Sequence, residues 1–214
     1  MLKRLCLFLF LLVFLVSCTT VPATTPPSPP TAQPTVPAPP ATGPTSFLGL
    51  PWDDASLFTL GLVKSQQEQY GSIRGASVYH IALEIAADMV NVKGREEVRY
   101  TNRETTALDK VEFRLFPNLL GGKMTVSNLT VDGQPATPEY GLENSLMSVP
   151  LTIQPGESRT IGMDFTLSVP TDPESNYGVL ASVDNVLTLA HSYPMIPVYD
   201  QQGWNAEIPP QSAT

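Results

Sequence analysis

Ile161-Gly162-Met163-Asp164-Phe165-Thr166-Leu167-Ser168-Val169 places an apolar side chain at every second position. Successive side chains of a β-strand point to opposite faces, so this period of two predicts a strand with one face in a core and one in water. The same period recurs on either side of the stretch. Tyr79, Ile81, Leu83 and Ile85 alternate with His80, Ala82 and Glu84. Val90, Val92, Val98 and Tyr100 face one way, and Lys93, Arg95, Glu97, Arg99 and Arg103 the other. Val111, Phe113 and Leu115 repeat the pattern, as do Met147, Val149 and Leu151, and Val179 to Ala190 adds one or two strands. Asp132-Gly133 and Pro155-Gly156 are turn pairs, and Leu120-Gly121-Gly122-Lys123 reads as a flexible loop. About seven antiparallel strands in one domain predict an all-β sandwich or a pair of strongly curved sheets.

Ahead of the strands lies a helical pattern. Asp53-Asp54 can cap it, Leu57, Leu60 and Lys64 continue it, Gly61 weakens it and Gly71 ends it. Further back the composition changes. From Thr19 to Thr45 the chain is almost wholly Pro, Thr, Ala, Ser and Val, with ten prolines between Pro22 and Pro44. Such a segment lacks the apolar bulk for a core, and its prolines lack backbone donors. It is expected to be a disordered, semi-rigid polyproline II tether, which at about 3.1 Å per residue reaches up to roughly 80 Å.

The first residues predict the compartment. Lys3 and Arg4 precede an unbroken apolar run from Leu5 to Val16, followed by Ser17-Cys18. The run is too short for a membrane span, which takes about 20 residues, and its flanks are those of a secretory signal peptide. Leu15-Val16-Ser17-Cys18 resembles the lipobox of bacterial lipoproteins, which implies cleavage before Cys18 and a diacylglycerol on its thiol. An ordinary signal peptide that happens to contain a cysteine is the plainer alternative. On the lipoprotein reading Cys6 leaves with the signal peptide, so the mature chain has no free thiol for a disulfide, a metal or nucleophilic chemistry. Ten basic residues then face twenty acidic ones, a formal charge of about −10 that argues against nucleic acid as a partner.

The search for chemistry is short. His80 belongs to the polar side of its strand and reads as a surface imidazole, while His191 reads as a hydrogen-bonded residue at a strand end. Neither has zinc-ligand spacing. No G-x-S-x-G elbow activates a serine. Glu96 and Glu97 are neighbours on a strand, so they point to opposite faces and cannot act as an acid/base pair. Asp53 and Asp54 suit a helix start, where the dipole favours acidic groups. Gly121-Gly122-Lys123 lacks the leading glycine and the hydroxyl residue of a phosphate loop. The Lys93, Arg95, Arg99 and Arg103 stripe is interrupted by Glu97 and reads as a solvated strand face. Asn128-Leu129-Thr130 matches a glycosylation sequon, a match that the bacterial source implied by the lipobox resemblance leaves uninformative. The residues therefore assign no catalytic, cofactor-binding or metal-binding group, and one modification site, lipid on Cys18.

A series of segments resembles the N-terminal domain of the aminopeptidase N family of zinc metallopeptidases. It runs from Tyr79 to Ile85, then from Val92 through Gly94 and Val98 to Asn102, then from Val111 through Phe113 and Pro117 to Asn118. Pro155-Gly156-Glu157-Ser158 leading into Ile161–Val169 and Pro170 resembles a later element of that domain. Leu187 to Met195, ending at Gly203-Trp204-Asn205, resembles its exit in the membrane-tethered bacterial branch. The resemblance implies a saddle-like β domain. It also implies that zinc, its H-E-x-x-H…E ligands, the general-base glutamate and a transition-state tyrosine belong to a following domain, so no catalytic residue carries over. The Gln-x-Glu-type segment with which many members hold a substrate amine has no counterpart here.

The expected organisation is a signal peptide over 1–17, lipidated Cys18 and a linker over 18–46, a helical lead-in over 47–75, the β domain over 76–205 and a linker stub over 206–214. Such a chain is expected to be held in the cell envelope by its lipid, on the outer face of the cytoplasmic membrane or in the outer membrane. It would be the non-catalytic N-terminal part of a zinc aminopeptidase, meeting peptides only through a catalytic domain that this sequence lacks. A free-standing β-sandwich serving as a surface binding or scaffolding module is the alternative.

Overall fold

The computed structural model describes residues 51–208 apart from 55 and 74. The signal peptide, Cys18, the whole Pro-rich segment, the first residues of the helical lead-in and the end of the C-terminal stub lie outside them. The described part is an all-β sandwich. A helix, α1 (Ser56–Gly61), and a 3-10 helix (Lys64–Ile73) precede the strands. The single helix expected from Asp53 to Gly71 is thus two pieces. The break falls just after Gly61, where a side chain that would stiffen the backbone is missing.

The larger sheet has the order β1-β2-β8-β4-β5, built from β1 (Val78–Ile85), β2 (Asn91–Thr101), β8 (Ser158–Ser168), β4 (Lys123–Val131) and the two-residue β5 (Gln134–Pro135). The smaller has the order β3-β7-β6, from β3 (Leu108–Arg114), β7 (Leu146–Ile153) and β6 (Glu139–Gly141). Two hairpins follow, β9 (Leu180–Val183) with β10 (Val186–Leu189), and β11 (Tyr199–Asp200) with β12 (Gly203–Trp204). All pairings are antiparallel.

The expected alternation packs the core. Val92, Val98 and Tyr100 of β2 join Ile161, Met163, Phe165 and Leu167 of β8 and Met124 of β4. The smaller sheet answers with Leu108, Val111, Phe113, Met147, Val149 and Ile153. Each large side chain taken out of water stabilises the sandwich by about 1.5–3 kcal/mol before the entropy of ordering is counted. The pattern fails at the edge strand. Leu83 and Ile85 share the inward side with Val92, yet they are 43% and 48% exposed, because the open edge of β1 lacks a further strand to cover them.

The turns follow their sequence signals. Asp132 and Gly133 both take positive φ between β4 and β5, as a type I′ hairpin needs, and Asp184-Asn185 does the same between β9 and β10. Gly156, at φ 77°, occupies the third position of a turn closed by Glu157 N–H donating to Gln154 O at 2.9 Å.

Candidate functional site

Residues from the separate family-like segments meet through specific polar contacts. The Tyr79 hydroxyl accepts the Ile196 N–H at 3.0 Å, joining the first strand to the segment after β10. Asn102, fully buried at the end of β2, donates from Nδ2 to Thr106 O and Ile153 O, each at 2.9 Å, and its Oδ1 accepts the Glu104 N–H. Its backbone bonds with Glu157 and Gly156 fasten the same corner to the Pro-Gly turn. Asn118 holds the start of β4 by exchanging bonds with Met124 and donating to Asn144 O at 2.6 Å. These amides satisfy backbone groups where the chain leaves a strand.

The two histidines do not converge. His80 lies on the side of β1 away from the core, as its parity requires, but it is no surface imidazole. It is 7% exposed, and the Trp52 ring stacks on it at 4.1 Å, nearly parallel. Burial pushes its pKa down, partly opposed by Glu97 directly across the ladder. The expectation failed because the cover comes from residue 52, outside the strand whose alternation was being read. His191 is exposed at φ 54°, beside the Phe116 ring and with Nδ1 3.4 Å from Met195 Sδ. The contacts of the two imidazoles share no residue, and no group of three or more His, Cys, Asp or Glu among the described residues is arranged to hold a metal. The described side chains therefore do not fit zinc.

The basic stripe is solvated, as read. Arg95 approaches Glu97 at 3.8 Å, and Arg99 meets Asp53 at 3.3 Å. Asp53 is thus an ion-pair partner in the turn before α1. Exposed pairs of this kind contribute about 0–1 kcal/mol. Gly122 sits in a tight turn, where a Cβ would come within 2.9 Å of Ser168 O. Asn128 lies at a β4 irregularity and donates to Asp164 at 2.7 Å.

Glu96 and Glu97 do point to opposite faces, and the consequence for Glu96 is severe. Its side chain is on the core side, fully buried, with no hydrogen-bond partner for either oxygen. Burial pushes its pKa up to about 9. On the outer face of β3, Glu112 and Arg114 are also buried. Glu112 pairs with Lys110 at 2.5 Å. Arg114 donates to Glu207 O at 2.7 Å and lies 4.9 Å from the centre of the Phe116 ring, while Nε and Nη2 lack partners. Sequence reasoning missed all three. Glu96 had a signal, since it keeps the parity of Val98 and Tyr100. Arg114 had no local signal, because it is bonded by residue 207, far along the chain.

A cleft of about 400 Å³ lies between the ends of β1 and β2 and the segment 193–204. Tyr79, Tyr100, Tyr193, Tyr199 and Trp204 give it an aromatic lining. Tyr79 meets Tyr193 edge-on at 5.8 Å, and Tyr199 meets Trp204 at 5.0 Å.

No family model and no curated protein matches the chain. Among solved structures, it is similar to an M1 zinc metallopeptidase from Deinococcus radiodurans, with a TM-score of 0.31 and 18% identity over 38% of this chain and 17% of that one. It is also similar to a two-domain M1 zinc metallopeptidase variant bound to L-tryptophan, with a TM-score of 0.35 and 19% identity over 44% of this chain and 21% of that one. The chain thus spans about a fifth of the length of the structures that it matches.

Proposed function

We propose that this chain is the lipid-anchored, non-catalytic N-terminal β domain of an aminopeptidase N-like zinc metallopeptidase. The observation that carries the reading is the joining of the ordered motif series. Tyr79 binds the backbone of Ile196, and Asn102 binds the corner formed by the Pro155-Gly156 turn and the end of β7. The residues that carry the resemblance therefore serve as structural staples, which is the role expected of a domain that shapes a cleft without doing its chemistry. Zinc in a following domain would activate the water that attacks the peptide. This domain would wall the cleft, held off the membrane by lipid on Cys18 and the Pro-rich tether.

Two measurements test the proposal. Sequencing about two kilobases beyond the codon for Thr214 should find an H-E-x-x-H with a downstream glutamate, in frame or one frameshift away. The purified chain supplied with zinc should leave aminoacyl p-nitroanilides intact, and zinc-dependent hydrolysis by it would overturn the non-catalytic assignment. A free-standing binding module is the second reading, favoured by the aromatic cleft, which is concave without any added domain. A stop codon followed by an unrelated gene would select it.

A further inference from the structure

Packing accounts for the neighbours of Glu96 but not for Glu96 itself. Across the ladders it stands between Ile81 of β1 and Met163 of β8, with Gly94 and Val98 next on its own side of β2. Its titratable neighbours are few. β1 offers Tyr79, which interacts electrostatically with Glu96, and the segment beyond β10 offers Tyr193 against Tyr79. β2 itself adds Tyr100 two pairs along, opposite Arg159 of β8, whose guanidinium is engaged by Asp132 and Glu157. The other inward residues of β8 there, Ile161 and Phe165, are apolar. From the smaller sheet, Val111, Phe113, Met147 and Val149 enter the core, while Lys110, Glu112 and Arg114 belong to the far side of β3. No cation among the described residues offsets the burial. A charged carboxylate without a partner is far costlier to bury than a neutral carboxyl, so the closed sandwich holds Glu96 with its proton.

The wall on one side of Glu96 is an edge of the sheet. β1 is an edge strand, bonded only to β2, and its second half is exposed. Lifting it is the shortest way to bring water to Glu96 without separating the two sheets. The Tyr79–Ile196 bond would break in the same movement.

We propose that Glu96 is a proton-operated latch for the edge strand β1. Protonated, it lies in the dry interior and β1 closes beside it. When its proton passes to water, the carboxylate favours an open form in which β1 lifts from β2 and gives up the Tyr79–Ile196 bond, while Met195 stays bridged to Arg114 of β3. The closed form binds a proton that the open form gives up, so closure is most favoured at low pH and weakens as pH rises. Between a pKa of about 4.5 when open and about 9 when closed, the open fraction rises about tenfold per pH unit, then levels off.

The test is amide hydrogen exchange on the full chain from pH 5 to 10, corrected for the intrinsic pH dependence of exchange. Protection of Val78–Ile85 should fall about tenfold per unit up to pH 9, while β3 and β7 keep theirs. In Glu96→Gln the β1 slope should vanish. A flat profile in the unaltered chain, an unchanged slope in the variant, or loss of protection in all strands together would each overturn the latch. Carboxyl carbon NMR of the unaltered chain supplies a readout that needs no variant. Glu96 titrating near 9 supports the proposal, and titration between 4 and 5 overturns it.

Discussion

Gly94 stands directly across from Phe165 in the β2–β8 ladder, and a Cβ built on it would come within 2.0 Å of the ring. The phenyl group rests on bare backbone, and at 1% exposure it has no free space into which to move. Gly94→Ala should therefore destabilise the domain by about 2–3 kcal/mol through overpacking. In a Phe165→Leu background the same change should cost at least 1 kcal/mol less, because the ring it strikes is gone. Urea denaturation of the two single variants and the double variant checks this, and additive effects would count against a ring-on-glycine contact. The glycine was visible in the sequence as part of the Gly-x-x-x-Val-x-x-x-Asn series, but its reason was not, since Phe165 lies 71 positions away. At Glu96 two rules conflict. Alternation sends the residue inward, its chemistry argues for water, and the strand period prevails because a one-residue slip would turn Val92, Val98 and Tyr100 out of the core.

At the scale of elements, Asn102 ties β2 to the end of β7 with both amide hydrogens and receives Glu104 N–H on its oxygen. Asn102→Ala should cost about 2–4 kcal/mol, because two carbonyls and an N–H would lose their partner at a buried corner. Asn102→Asp, though the same size, should still be destabilising, since it sets a carboxylate against the carbonyls of Thr106 and Ile153. Thermal unfolding ranks both against the parent chain, and an Asp variant as stable as the parent would refute the role of the donors. The long strands and the main turns were legible because period and turn chemistry are local. Sheet membership was not, as nothing in β8 announces that it lies between β2 and β4. The break after α1 and the exposure of Leu83 and Ile85 escaped for a related reason, since periodicity reports which way a side chain points and not what arrives to cover it.

For the whole molecule, the proposed function gives anchoring to the N-terminal segment and shape to the sandwich. If Cys18 carries lipid, the native chain should sediment with membranes and Cys18→Ala should appear in the soluble fraction, with the labelled fatty acid lost in the same variant. An unlipidated parent chain would end the anchoring proposal and leave the β domain reading untouched. The legible part of the candidate site was the placing of Glu96 and Glu97 on opposite faces of β2. The aromatic cleft was not legible, because its lining comes from β1, β2 and the 193–204 segment, brought together only by the fold.

The contacts at the two ends of the described chain also decide how it would bear a load. A pull at residue 208 reaches the Arg114–Glu207 bond first, and behind it the backbone bridge between Met195 and Arg114, so tension enters β3 of the smaller sheet. A pull at residue 51 acts through Trp52 on His80 and Asp53 on Arg99, so it enters β1 and β2 of the larger sheet. Stretched between its two ends, as it would be if Cys18 carries lipid and residue 208 leads to a load, the protein would be strained from one sheet to the other. The Tyr79–Ile196 bond, which joins β1 to the segment bridged to β3, would then be an early point to yield.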